Sequence, residues 1–191
     1  MVATVAVFVA AAVLLWAGLE KVRASGGFDA TLVALGVTSP VRPLLRVGVP
    51  VAEVVTGACL MVAPAAGWPR GMLVVLAVGF AGAGVLGLRV EEPVVCSCFG
   101  TVGRHVLGWR QLLTLPVWLL AAAILERRHP GWPPSEGLRN LAALVVLLGV
   151  LRVPAVVRGW QAARGDRLAL MEGIDEGTPI FLAGQREVVQ P

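Results

Sequence analysis

The first nineteen residues of the chain, Met1 to Leu19, carry no charged side chain. As a helix, a run of this length crosses the ~30 Å hydrocarbon core of a bilayer. A secretory signal peptide is the other reading of such a start. However, no basic residue precedes the apolar stretch, and Leu14-Leu15-Trp16 lacks the small residues of a cleavage site. The segment is therefore read as a retained first helix. Comparable runs follow at 44–63, 71–88 and 111–125, with a fifth at 138–157. A soluble all-α domain would have to hide all of them at once, and 191 residues, 57% hydrophobic and only 15% charged, do not supply the polar surface. In lipid each span must satisfy its own backbone hydrogen bonds, so helices are expected. The fold class expected is an all-α membrane protein: a four-helix transmembrane bundle, a fifth C-terminal helix and a polar tail. This gives a membrane domain over 1–157 and a tail over 158–191.

The net charge of +4 does not point to nucleic acid. Lys and Arg flank the apolar runs, where they meet headgroups, and no basic cluster is interleaved with aromatics. Trp68, Trp109, Trp132 and Trp160 stand near span ends, as interfacial anchors do. Placing the N-terminus outside leaves twelve basic residues on the cytoplasmic side and four (Arg70, Arg127, Arg128, Arg139) on the other. The positive-inside rule thus favours a cytoplasmic loop between the third and fourth spans, although stable disulfides prefer the opposite compartment.

Short features organise the rest. Ser25-Gly26-Gly27 ends the first helical stretch, as glycine breaks helices readily. Phe28, Leu32 and Leu35 then repeat at i, i+4 and i+7, the pattern of a short amphipathic segment lying on the bilayer, closed by Pro40 and Pro43. Gly79, Gly82, Gly84 and Gly87 in the third span allow close helix contact, and Pro116 in the fourth is a candidate kink.

Glu53 sits in the middle of the second span. Intramembrane carboxylates are costly and are usually paired or functional. Lys21, at the end of the first helix, is the candidate partner. Two readings stand: an ion pair that fixes helix register, or a protonatable group beside a quinone or substrate cavity.

The loop Val94-Val95-Cys96-Ser97-Cys98-Phe99-Gly100 places two thiols one residue apart. Neighbouring thiols pass between dithiol and disulfide with two electrons. A Cys-x-Cys disulfide closes a small, strained ring that is readily reduced, which suits exchange better than bracing. Two purely structural thiols are the alternative. Another is a metal site of Cys96, Cys98 and His105, for which no fourth ligand is evident. His105 is either an interfacial histidine or a base that activates a thiol. Cys59 is expected to pack among helices; six residues beyond Glu53, it lies more than a turn and a half away.

Gly18-Leu19-Glu20-Lys21, followed by Pro50-Val51-Ala52-Glu53-Val54-Val55-Thr56-Gly57, resembles the signature of DoxX-like membrane proteins. With Cys96-Ser97-Cys98-Phe99-Gly100 after the third span, the pattern is similar to the MauE branch of methylamine-utilisation proteins. The match runs over about 5–125. The resemblance implies a four-helix multi-pass protein of the bacterial cell (inner or plasma) membrane, related in plan to quinone-linked disulfide-forming proteins. It further implies a part in maturing the disulfide-rich small subunit of methylamine dehydrogenase, often beside a thioredoxin-like partner. Cys96 and Cys98 would be the redox pair of a membrane thiol–disulfide oxidoreductase. Lys21 and Glu53 would form the shared polar core, the candidate binding residues for a membrane quinone. A non-catalytic assembly or chaperone subunit, suggested by the glycine-rich third span, and a Cys/His metal carrier are the competing functions. In the tail, Gly177-Thr178-Pro179-Ile180-Phe181 resembles the opening of a redoxin domain, but the chain stops too soon to contain one.

Overall fold

The computed structural model describes residues 1–90, 93–96 and 105–175, with side chains at all of these except 96, 105 and 155–175. Cys98 and the Gly177–Phe181 segment lie outside the described residues. Among the described residues six helices follow in order: α1 (Val2–Arg23), α2 (Ser25–Ala34), α3 (Arg42–Val62), α4 (Gly67–Arg89), α5 (Trp109–Arg127) and α6 (Pro134–Asp175). Between α4 and α5 a two-residue antiparallel ladder pairs β1 (Val95–Cys96) with β2 (His105–Val106), Val95 opposite Val106 and Cys96 opposite His105. Residues 1–148 form one compact unit. Residues 149–191 form a second, whose described residues belong to α6.

Among the described residues, four helices are long and apolar enough to cross a membrane: α1, α3, α4 and residues 134–154 of α6. The protein is a multi-pass membrane protein of helices, as expected, but the membership of the apolar set differs from the sequence reading. Arg110, Gln111 and Glu126 enter α5 from its two ends and leave residues 112–125 as its apolar stretch, about 21 Å at 1.5 Å per residue. α5 nevertheless packs in the bundle, chiefly against α4 and also against α1.

The core is a stripe of Val7, Ala10, Ala11, Leu14 and Leu15 from α1 against Leu60 and Met61 of α3, Leu73 and Leu76 of α4, and Ala122 and Leu125 of α5; Leu144 of α6 adds to it. α1 and α3 come closest at two glycines. A methyl group on Gly18 would stand 2.7 Å from Val54 Cγ2 and 2.9 Å from the Pro50 carbonyl oxygen. One on Gly57 would stand 3.1 Å from the Ala11 carbonyl oxygen. Small residues at a helix crossing let backbones approach in lipid, where dispersion packing rather than the hydrophobic effect holds helices together.

The small residues of α4 divide. Gly84 faces Gln111 and the Gly108 carbonyl, and Gly87 faces Leu107, so both admit the chain entering α5. Gly79 and Gly82 have nothing within 4 Å.

Ser25-Gly26-Gly27 does not end helical structure: the break falls at Ala24, and α2 starts at Ser25. A Schellman turn closes α2, with Val37 N–H donating to the Leu32 carbonyl and Gly36 N–H to the Val33 carbonyl; Gly36 supplies the left-handed conformation (φ 73°). Its apolar stripe turns into the protein instead of lying on lipid. Phe28, Thr31 and Leu32 are buried, and Leu35 packs on Val94 and Leu107 of the α4–α5 connection. Pro43 belongs to the first turn of α3, where its missing N–H costs nothing.

At the opposite end of the bundle, Trp132 departs from the expected role of interfacial anchor. Its indole Nε1–H donates to the Met61 carbonyl at 2.9 Å, and its ring meets Phe8 edge-on at 6.0 Å. Trp68 and Trp109 are exposed, as anchors are.

Gly18→Leu is expected to force α1 and α3 apart and to cost about 1–3 kcal/mol, the usual penalty of overpacking. Gly79→Leu should change stability by less than about 0.5 kcal/mol. Thermal unfolding of both variants in detergent micelles checks the contrast, and equal midpoints would contradict the crossing described here.

Candidate functional site: a buried ion pair beneath an apolar cleft

The Gly18–Gly57 crossing determines what lies just beyond it. Lys21 is three residues past Gly18 in the last turn of α1, and Glu53 is four residues before Gly57 on the facing side of α3. Lys21 Nζ donates to Glu53 Oε1 at 2.6 Å, and both side chains are fully buried. The ammonium also lies 5.4 Å from the ring centre of Phe80 on α4 and 5.8 Å from that of Phe28 on α2, within cation–π range. Its place at the C-terminal end of α1 suits the helix dipole.

Not every polar atom here is satisfied. Glu53 Oε2 and Thr56 Oγ1, three residues apart on one face of α3, are buried without a hydrogen-bond partner among the described residues. An unsatisfied buried acceptor is costly, most of all on a charged group, so a carboxylate oxygen left open is a place where a donor would be welcome.

Beside the pair lies a cleft of about 880 Å³ between α1, α4 and α5. Val2, Val5, Val9, Val13 and Ala17 of α1 form one wall, and Val117, Trp118, Leu120, Ala121 and Ile124 of α5 form another. Its polar side chains gather at one end: Lys21 of α1, Glu53 of α3, and Arg110, Gln111 and Thr114 of the first turns of α5. Gln111 is held there because its Oε1 accepts the Gly108 N–H at 2.9 Å, closing the start of the helix. Gly108 itself has φ 156° and ψ −138°, a backbone that glycine adopts at little cost.

The thiol loop reaches the same end. Thr31 Oγ1 on α2 donates to the Val95 carbonyl oxygen at 3.1 Å, docking β1 on α2. Leu107 N–H donates to the Val94 carbonyl at 2.8 Å, and Leu107, one residue after β2, also lines the cleft. The backbones of Cys96 and His105 are therefore cross-strand neighbours two residues from the cleft wall.

Of the candidate residues, the structure brings Lys21 and Glu53 into contact and places Cys96 opposite His105; Cys98 lies outside the described residues. Among the described residues no group of three or more His, Cys, Asp or Glu side chains could hold a metal. Cys59 is half-buried near the C-terminal end of α3, toward Met61 and Trp132 and away from the hairpin. Sequence reasoning passed over the cleft, Phe80, and the polar group Arg110, Gln111 and Thr114. The signal available was three polar residues at i, i+1 and i+4 opening an apolar helix; periodicity alone does not say which neighbour they face.

Lys21→Met alone leaves the Glu53 carboxylate buried without its cation and is expected to cost about 3–5 kcal/mol. Replacing both groups, Lys21→Met with Glu53→Met, should restore stability to the wild-type value or exceed it by about 1–4 kcal/mol. Unfolding midpoints of the single and double variants check this, and a double variant no better than the single one would refute the pairing argument.

The chain was also compared with known proteins. A family model described as methylamine utilisation protein MauE matches residues 1–127, which is α1 through α5 with the ion pair, the cleft and the thiol loop. No curated protein and no solved structure shows a significant match to the chain. With two thirds of its length under that model, the chain belongs to the MauE family.

Proposed function

We propose that this protein is a membrane thiol–disulfide redox protein in which Cys96 and Cys98 exchange a disulfide with a partner protein. The observation that carries this reading is the docking of the Cys96 strand, through Thr31 and Leu107, at the polar end of the cleft. The spacing of the thiols supplies the chemistry. In the disulfide-forming direction, a partner thiolate attacks one sulfur of a Cys96–Cys98 disulfide and releases the other as thiolate. A second partner thiol then resolves the mixed disulfide, leaving the partner oxidised and both cysteines reduced, with two electrons transferred. The small Cys-x-Cys ring favours this direction because strained disulfides are the more oxidising ones.

Family membership supports a client among exported disulfide-rich proteins, with the small subunit of methylamine dehydrogenase as the case the resemblance implies and a thioredoxin-like protein as a second partner; such a client puts the thiol loop on the outer face, against the count of flanking basic residues. The membrane would be the bacterial cell membrane. Returning the dithiol to the disulfide needs a two-electron acceptor, and a lipid quinone supplies that chemistry when bound. The residues present fit such a head: Arg110 and Gln111 carry N–H donors for its carbonyl oxygens at the end of an apolar cleft, and Glu53 Oε2 can accept from the hydroxyl that reduction creates.

The test is alkylation of native membranes with and without prior reduction, read by the mass of the peptide carrying both cysteines. A fraction of molecules should gain two alkyl groups only after reduction, or should carry a partner in mixed disulfide. Complete alkylation without reductant, with no mixed disulfide, would overturn the reading.

A further inference from the structure

We infer that the cleft is a binding site for a long-chain lipid with an uncharged, hydroxyl-bearing head, and that Glu53 Oε2 accepts the hydrogen bond of that hydroxyl. Three observations carry this. The first is shape. The cleft lining runs along α1 from Met1 to Lys21, about 30 Å at 1.5 Å per residue, which is the thickness of the hydrocarbon core. The second is access. Rim residues Val2, Val5, Val117 and Leu120 are each about 60% exposed or more on helices that fit a bilayer, so a chain can enter sideways from lipid. The third is polarity. The polar side chains of the lining are at one end, and the buried Glu53 Oε2 there has no donor among the described residues.

That oxygen also selects the head. A phosphate monoester could answer the Arg110 cation at this end, but at Glu53 Oε2 it would set one anion against another and leave that acceptor unsatisfied. A carbonyl head offers no proton to Oε2. A hydroxyl offers one and satisfies the orphan acceptor; a hydrogen bond to a charged group is worth about ten-fold or more in affinity. The Lys21–Glu53 pair is closed to water-sized contact, so the head must displace part of the wall, with Phe80 the neighbouring ring. The hydroquinone form of a lipid quinone and a monoacylglycerol share this chemistry. The first would deepen the redox reading above. The second would leave the site standing without it.

The experiment uses the full chain in phosphatidylcholine nanodiscs. Trp118 lines the cleft, so its fluorescence, taken as the difference between the wild type and Trp118→Phe, reports occupancy. A monoacylglycerol with a dibrominated chain should quench it. A prenyl hydroquinone should displace the brominated lipid, while the oxidised quinone and phosphatidic acid should do so at least ten-fold more weakly. Glu53→Gln should weaken binding about ten-fold. Ala121→Trp, which fills the cleft away from the ion pair, should abolish quenching, and lipid-facing Val75→Trp should not. Cys96→Ser with Cys98→Ser should leave binding unchanged, which separates this site from the thiol chemistry. Quenching that survives Ala121→Trp, no specific quenching at all, or displacement by phosphatidic acid or oxidised quinone equal to that by hydroquinone would overturn the inference.

Discussion

A charge pair shut inside an apolar bundle is the constraint around which this protein is arranged. Lys21 and Glu53 each lose their water on folding, and neither can be left alone in lipid without a penalty of several kcal/mol. Their 2.6 Å contact is possible only because α1 and α3 cross closely at Gly18 and Gly57, within one turn of each charged residue. Lys21 and Glu53 sit on different helices far apart in the chain, so the pair also fixes helix register: sliding α1 by one residue would carry the ammonium about 1.5 Å along and 100° around the helix axis. The rings of Phe28 and Phe80 then bring α2 and α4 to the same point.

From that point the bundle is polarised along its length. One end holds the ion pair, the polar start of α5, and the hairpin docked on α2. The other holds apolar packing, the Arg70–Glu126 ion pair at 2.9 Å toward the surface, and backbone-directed links such as Trp132 on Met61 and the Arg70 guanidinium on the Pro64 and Ala65 carbonyls. The family match covers α1 to α5 and stops at Arg127. That is the stretch containing every element that builds the polarised end, whereas the span of α6, only 11% buried, contributes little to it.

Much of this was legible residue by residue. Long apolar runs announced α1, α3 and α4 because lipid tolerates no unpaired backbone or charge. Glu53 inside such a run demanded a cation, and Lys21, at the end of the first helix, was the candidate. Other features misled for identifiable reasons. Gly26 and Gly27 looked like a helix stop, yet tertiary packing of Phe28 and Leu32 overrides their propensity. The α2 stripe looked lipid-facing because periodicity marks an apolar face without naming its partner. Four glycines on α4 looked equivalent, yet only Gly84 and Gly87 meet another segment. Trp132 was assigned to headgroups by position, but its indole found a backbone carbonyl.

The sequence by itself determined that this is a multi-pass helical membrane protein with an ion-pairing requirement in its second long span and two adjacent thiols after its third. Those facts follow from local composition, since the cost of charge in lipid and the chemistry of neighbouring thiols do not depend on the rest of the fold. Only the tertiary structure decided that the thiol strand, the ion pair and the polar turns of α5 share one end of an apolar cleft. Cavities and orphaned acceptors arise from how separate helices fail to fill the space between them, and no single helix encodes that.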